Sequence, residues 1–270
     1  MKKMIVIGLI CILVGVVICG AAYAMRGNAD LKDTNVSFSG NDVNNINISA
    51  GIAHIRILKS ADNSNEIVIK AEDIILEDFK CEIKNDDTLK ISYNPSSVKF
   101  WFITLPSFGS GIDKAKINIY IPEGKVFNEF IFDGGVGKIE AEQINAQSIK
   151  IDGGVGEYDV RNITTGSLKV NGGVGSIKIN GVINGDTRID CGVGSVKLSG
   201  QANGDIRIKG GVGSINMDLT GNVGDYNIKA DKGIGSIKLN GSKMPDSVRN
   251  GGKYDIDVDA GVGSIDINIK

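Results

Sequence analysis

The chain has 270 residues and a formal charge of −2, with 30 Lys and Arg against 32 Asp and Glu. So balanced a charge removes any bulk electrostatic reason to bind nucleic acid. A single histidine cannot build a zinc site by itself, and four cysteines, two of them in one apolar stretch, do not make a disulfide framework.

Residues 4–24 carry no charge and follow Lys2 and Lys3. A stretch of that length spans a bilayer as one helix. The preceding lysines predict a cytoplasmic N-terminus and an extracytoplasmic C-terminal domain. A cleaved signal peptide is the alternative, because Ala22-Tyr23-Ala24 fits the small-x-small cleavage pattern. The apolar stretch is longer than a usual signal core, which favours an uncleaved, single-pass anchor over a secreted protein. Ile18 is too large to precede a lipidated Cys19. Residues 1–25 are therefore read as a cytoplasmic stub and membrane anchor.

Residues 26–129 read as an irregular β region that forms the first rungs and a cap. Residues 48–57 resemble a degenerate form of the repeat described below, and alternating runs follow at 66–71, 79–83, 89–93 and 117–121. Between them lies an aromatic segment with Phe100, Trp101, Phe102 and Phe108. Phe100 and Phe102 fall on one face of an extended chain and Trp101 on the other. One side can cover the core while the other meets a partner, so these three are candidate contact residues. His54 sits in an alternating run with no nucleophile motif beside it and reads as an ordinary strand residue.

Residues 130–270 are governed by repetition. Gly-Val-Gly centres on Val136, Val155, Val174, Val193 and Val212, each 19 residues from the last, and further copies centre on Ile234 and Val262 after 22 and 28 residues. A fixed period near 20 residues marks a stacked array. Within a unit, two short alternating runs are separated by Asn-Gly and Gly turns. Superimposed units give apolar columns: Ile139, Tyr158, Ile177, Val196, Ile215, Ile237 and Ile265, then Ala141, Val160, Ile179, Leu198, Met217, Leu239 and Ile267. The central valines form a third column, expected to point inward at a corner. Each unit is too small to fold alone, and stacking joins the columns into one core. The expected fold is all-β: a right-handed, single-stranded parallel β-helix with rungs of about 19 residues, preceded by one transmembrane helix. The flanking glycines, Gly135, Gly137, Gly154, Gly156, Gly173, Gly175, Gly192, Gly194, Gly211, Gly213, Gly233, Gly235, Gly261 and Gly263, are read as structural corners.

The glycine motifs do not match phosphate loops, since strand rather than helix follows each one. Nor do they match calcium-binding repeats, whose period is nine. Two polar columns remain. Asp133, Asp152, Asn171, Asp190, Asp231 and Asp259 recur in nearly every rung, with Lys209 interrupting, and so read as turn architecture rather than a unique catalytic pair. Lys150, Lys169, Arg188, Arg207 and Lys229 form an outward basic column. It is either a track for an anionic cell-wall polymer or a stripe neutralised by adjacent aspartates. Cys191 replaces a glycine of other units and reads as a small core or corner residue; a bond to Cys81 is the less favoured reading.

One N-terminal membrane segment, an Ile-Tyr-Ile-Pro strand end at 119–122 and repeated Gly-Val-Gly-Ser-Ile-Lys-Ile units together resemble a known group. That group is the bacterial "putative adhesin" domain family, related to the toastrack domains of Lia-type cell-envelope stress systems. The resemblance covers residues 30–270. It implies a non-catalytic envelope protein that binds or scaffolds, with sensing of envelope stress as the first reading and surface adhesion as the second. A glycan-acting β-helix enzyme is third, disfavoured by the scarcity of stacking aromatic rings in the repeats. No cofactor and no catalytic residues follow from the resemblance. The implied partners are the cell membrane and either another envelope protein or an anionic wall polymer.

Overall fold

The computed structural model describes residues 31–61, 64–95, 98–100, 103–105, 115–245, 247–248 and 250–270. In chain order the strands are β1 (Leu31–Ser39), β2 (Asn45–Lys59), β3 (Glu66–Ile75), β4 (Phe79–Lys84), β5 (Thr88–Tyr93), β6 (Val98–Phe100), β7 (Ile103–Leu105) and β8 (Lys116–Ile121). They continue as β9 (Val126–Ala141), β10 (Ile144–Ile183), β11 (Thr187–Ala202), β12 (Ile206–Leu219), β13 (Tyr226–Leu239), β14 (Ser242–Lys243), β15 (Ser247–Val248) and β16 (Tyr254–Ile269). Among the described residues there is no α-helix, and so none long and apolar enough to cross a membrane. The expected anchor at 4–24 lies outside the described residues.

The repeat units are rungs of a parallel coil. Ile177 pairs with Val196, Val196 with Ile215, and Ile215 with Ile265, so each inward residue stacks on its counterpart one unit away. The β-branched side chains of these columns suit a pleated, half-buried surface. They meet inside the coil in one continuous core. Both predicted apolar columns are internal, with Leu239 only partly buried.

The order of the last two rungs departs from chain order. β16 lies between β12 and β13, pairing in parallel with both. The chain therefore leaves one place vacant when it enters β13 and returns to fill it. Every unit offers the same inward pattern, so columns of like residues form in either order, and pattern alone cannot choose. The loop from Asn240 onward then closes the free edge of β13. Ser242–Lys243 and Ser247–Val248 add short antiparallel pairings to it, and Met244 is buried against the core.

At the other end, the degenerate unit at 48–57 is a true rung. β2 pairs with β9 along both limbs, and Ile52 lies opposite Val136. Beyond β2 the regularity ends. One limb is extended by parallel β5 and then antiparallel β4; the other by parallel β8 and then antiparallel β3 and β1. These irregular strands cover the end of the array, where an open rung would otherwise offer its edge to other chains. Larger side chains fill this end of the core: Tyr93 of β5 and Phe127 and Phe130 of β9 are fully buried, and the Tyr93 hydroxyl accepts a hydrogen bond from the Ile75 amide at 3.3 Å.

The glycine corners have a sharper cause than bending alone. A Cβ on Gly173 would strike the carbonyl oxygen of Gly154 one rung below. A Cβ on Gly175 would strike that of Gly156, and Gly175 also has φ +139°, a backbone angle that side chains disfavour. Adjacent strands sit about 4.8 Å apart, and here the missing Cβ atoms would point along the stacking axis. Gly173→Val should therefore cost more than about 3 kcal/mol, lowering the melting temperature by roughly 6 to 12 °C. Gly251, with φ +69° and open space around its Cβ position, should lose only about 1–2 kcal/mol on change to Ala. Thermal melts of the two variants compare these costs; equal losses would contradict the stacking model.

Candidate functional site: an exposed apolar ridge on the solenoid corner

The central residue of each Gly-Val-Gly points outward, which corrects the expected inward column. Val136, Val155, Val174, Val193, Val212 and Val262 are 43% to 50% exposed, and Ile234 is 72% exposed. Val136 shares alternation parity with Phe130 and Phe132, so counting by twos aims it inward. The inward place is already taken by Gly134, where a Cβ would strike the Phe132 ring. In the next units a Cβ on Gly172 would lie 2.8 Å from the Ile177 side chain, and one on Gly210 3.1 Å from that of Ile215. The chain thus turns so tightly that residues five apart meet inside, leaving the vertex residue outside. The same geometry places Cys191, buried and opposite Gly172 and Gly210, as the expected small internal residue.

Stacking converts these vertices into a ridge. Ile52, Val136 and Val155 lie opposite one another, then Val174, Val193, Val212, Val262 and Ile234. Ile52 is only partly exposed, so the exposed ridge has seven rungs, which at about 4.8 Å make it about 29 Å long. From Val136 onward, glycines on both sides leave the ridge bare. One flank carries the predicted acidic column of Asp133, Asp152, Asn171, Asp190, Lys209, Asp259 and Asp231 in register. The other carries stacked serines, Ser176, Ser195, Ser214, Ser264 and Ser236, with Lys138 and Glu157 at the N-terminal rungs. A contiguous exposed apolar surface of this length is the mark of an interaction site.

The basic column forms, but its charges are largely taken. Lys150 binds Asp152 at 2.6 Å, Arg188 binds Asp190 at 2.9 Å and Lys229 binds Asp231 at 2.8 Å, each two residues along its own strand. Lys169 lies opposite Arg188, and Arg188 opposite Arg207. The column then breaks, because the inserted rung puts Asp257 between Arg207 and Lys229. Arg207 reaches Asp257 at 3.5 Å. Arg207, Lys229, Asp255 and Asp257 line an open groove of about 670 Å³ beside the closing loop. Asp152 is held below the ordinary carboxylate range: partial burial opposes this, but hydrogen bonds from Lys150 and Asn171 outweigh it. Exposed pairs of this kind contribute little individually, yet they leave little net positive field for a polymer.

His54 belongs to a surface ion-pair network. Its Nε2 lies 2.9 Å from Glu140 Oε2, and Lys138 reaches Glu140 at 2.7 Å. Lys178 in turn binds Glu157 at 3.1 Å. Among the described residues no group of His, Cys, Asp and Glu is placed to hold a metal. Cys81 and Cys191 are free thiols, and burial pushes Cys81 up to about 12. Trp101 and Phe102 lie outside the described residues; Phe100 ends β6, which pairs with β7.

A parallel β-solenoid with capped ends and one bare apolar corner defines the class of the molecule. Residues 43–267 match the Toastrack DUF4097 family model, and the chain belongs to that family. Among solved structures it is similar to a protein of Bacteroides fragilis described as a "putative adhesin", with 17% identity, 89% of this chain and 98% of that chain covered, and a TM-score of 0.47. It is also similar to a "putative cell adhesion protein" of Clostridium sporogenes, with 15% identity, 89% and 100% covered, and a TM-score of 0.36. No curated protein matches it.

Two outcomes follow from these charges. The Lys138 hydrogen bond, with help from His54, holds the Glu140 carboxyl below its ordinary value of 4.5. A depressed acid stabilises the fold above its unfolded pKa, and that contribution disappears as pH falls through the folded value. Glu140→Gln should therefore narrow the gap between melting temperatures at pH 7 and pH 3. An unchanged gap would show that the network does not stabilise the fold. Changing Lys169, Arg188 and Arg207 together to Gln should leave retention on a purified anionic wall polymer, measured at low salt, within about twofold of the parent. A loss above tenfold would restore the basic column as a binding track.

Proposed function

We propose that this chain is a non-catalytic binding and scaffolding module displayed on the outer face of the cell membrane, acting in envelope-stress sensing. The bare valine ridge carries this reading. An exposed apolar surface is costly for a soluble domain, and here it recurs identically on rung after rung, flanked by columns of polar residues. A repeated feature of that kind provides a long docking edge rather than the unique cleft that catalysis needs. Membership of the Toastrack family agrees with a binding role, and the envelope-stress assignment follows the resemblance to Lia-type toastrack domains. Neutralisation of the basic column favours another envelope protein over an anionic polymer as partner. The aromatic segment with Phe100, Trp101 and Phe102 is proposed as a secondary contact.

Anchoring and orientation rest on the sequence of residues 4–24. The winding is taken as right-handed on the steric rule for parallel crossovers. With an epitope tag placed after Lys270, the chain should remain in the membrane fraction after a high-salt wash. Protease added to cells stripped of their wall should remove the tag. A tag that is protected until the membrane is opened would overturn the extracytoplasmic placement. Release of the chain into the medium would overturn the anchor.

A further inference from the structure

We propose that the partner of the valine ridge is a second copy of the same chain, set parallel to the first about a twofold axis that runs along the ridge. The inference rests on the reading of the ridge as a contact surface and names what covers it.

The two flanks of the ridge supply the argument. A twofold axis along the ridge turns the acidic flank of one copy toward the serine flank of the other at the same rung. Carboxylate oxygens then face hydroxyl donors, as Asp190 faces Ser195 and Asp259 faces Ser264. The hydroxyls of these serines have no hydrogen-bond partner elsewhere among the described residues. Near the N-terminal end Asp133 faces Lys138. Asp152 faces Glu157, but each already has a cation of its own, Lys150 at 2.6 Å and Lys178 at 3.1 Å. The reversed setting brings Asp133 against Asp259 and Asp152 against Lys209, and it leaves the serine hydroxyls facing one another instead of carboxylates. Electrostatic complementarity of this sort fixes orientation more than it adds affinity.

Spacing agrees. Both ridges repeat at the inter-strand distance, so valines of the two copies meet in step along the whole length. The seven exposed rungs make a narrow strip about 29 Å long. So narrow a contact belongs at the weak, transient end of specific interfaces. The dimer should therefore be weak in solution and favoured by confinement to one membrane, where the parallel setting points both N-termini the same way. The acidic flank also makes an anionic lipid surface a poor alternative occupant.

Disulfide trapping in native membranes tests the proposal with the full chain. Cys11 and Cys19 are changed to Ala; Cys81 and Cys191 are kept, since burial pushes both thiols above the ordinary range. Single cysteines are then placed at Val155, Val174 and Val212, with Gln201→Cys, away from the ridge, as control. Under mild copper oxidation all three ridge variants should form covalent homodimers, at least fivefold more than the control. If Val155→Cys and Val212→Cys cross-link only when the two variants are co-expressed, the chains are antiparallel and the parallel arrangement is wrong. If no ridge cysteine cross-links but all are shielded from a charged maleimide, a different partner covers the ridge; self-association is then overturned while the binding role survives. If the ridge cysteines neither cross-link nor resist the maleimide, both readings fall.

Discussion

The fixed distance between paired strands is the constraint on which the rest depends. At the corner the backbone approaches the rung below so closely that a Cβ on Gly173 or Gly175 would occupy the place of a carbonyl oxygen. Only glycine fits, and it must recur in every unit. The 19-residue spacing is the visible trace of this requirement, because any insertion inside a rung would move the glycines off the stack. Additional residues are accepted only where the chain leaves the coil, as it does after Leu239 before returning as β16.

The same corner explains why an apolar residue is left in water. With Gly153, Gly172 and Gly210 filling the inward place against side chains five residues later, the valine between the flanking glycines has nowhere to go but out. Its β-branched shape suits an extended backbone, so a structural preference alone accounts for one valine. It does not account for a nearly unbroken run of them beside an acidic flank and a serine flank. The ridge is thus where architecture and contact surface coincide.

Polar side chains tie the rungs together around this frame. The Asn203 amide donates to Asn184 Oδ1 at 3.0 Å, and the Asp255 amide to Asp205 Oδ1 at 2.9 Å, each reaching a neighbouring rung. The aspartates before the glycine corner read in the sequence as turn architecture, a role that bonds to local backbone would serve. Asp152 instead accepts from Asn171 in the next rung and from Lys150 in its own strand. Alternating polar residues thus join the stack as well as solvate it, and the basic column belongs to this system of local pairs.

The sequence by itself determined the repeat, the strand pairing between units, both internal columns, the degenerate rung at 48–57 and the small residue required at Cys191. All of these depend on local alternation and on period, which a chain displays directly. Only the tertiary structure decided the direction of the central valines, the insertion of β16 between β12 and β13, and the break of the basic column at Asp257. Alternation gives a side chain's face only while the strand stays straight, and a turn of unknown sharpness resets the count. Period says that units stack but not in which order, because identical inward faces fit any neighbour equally well.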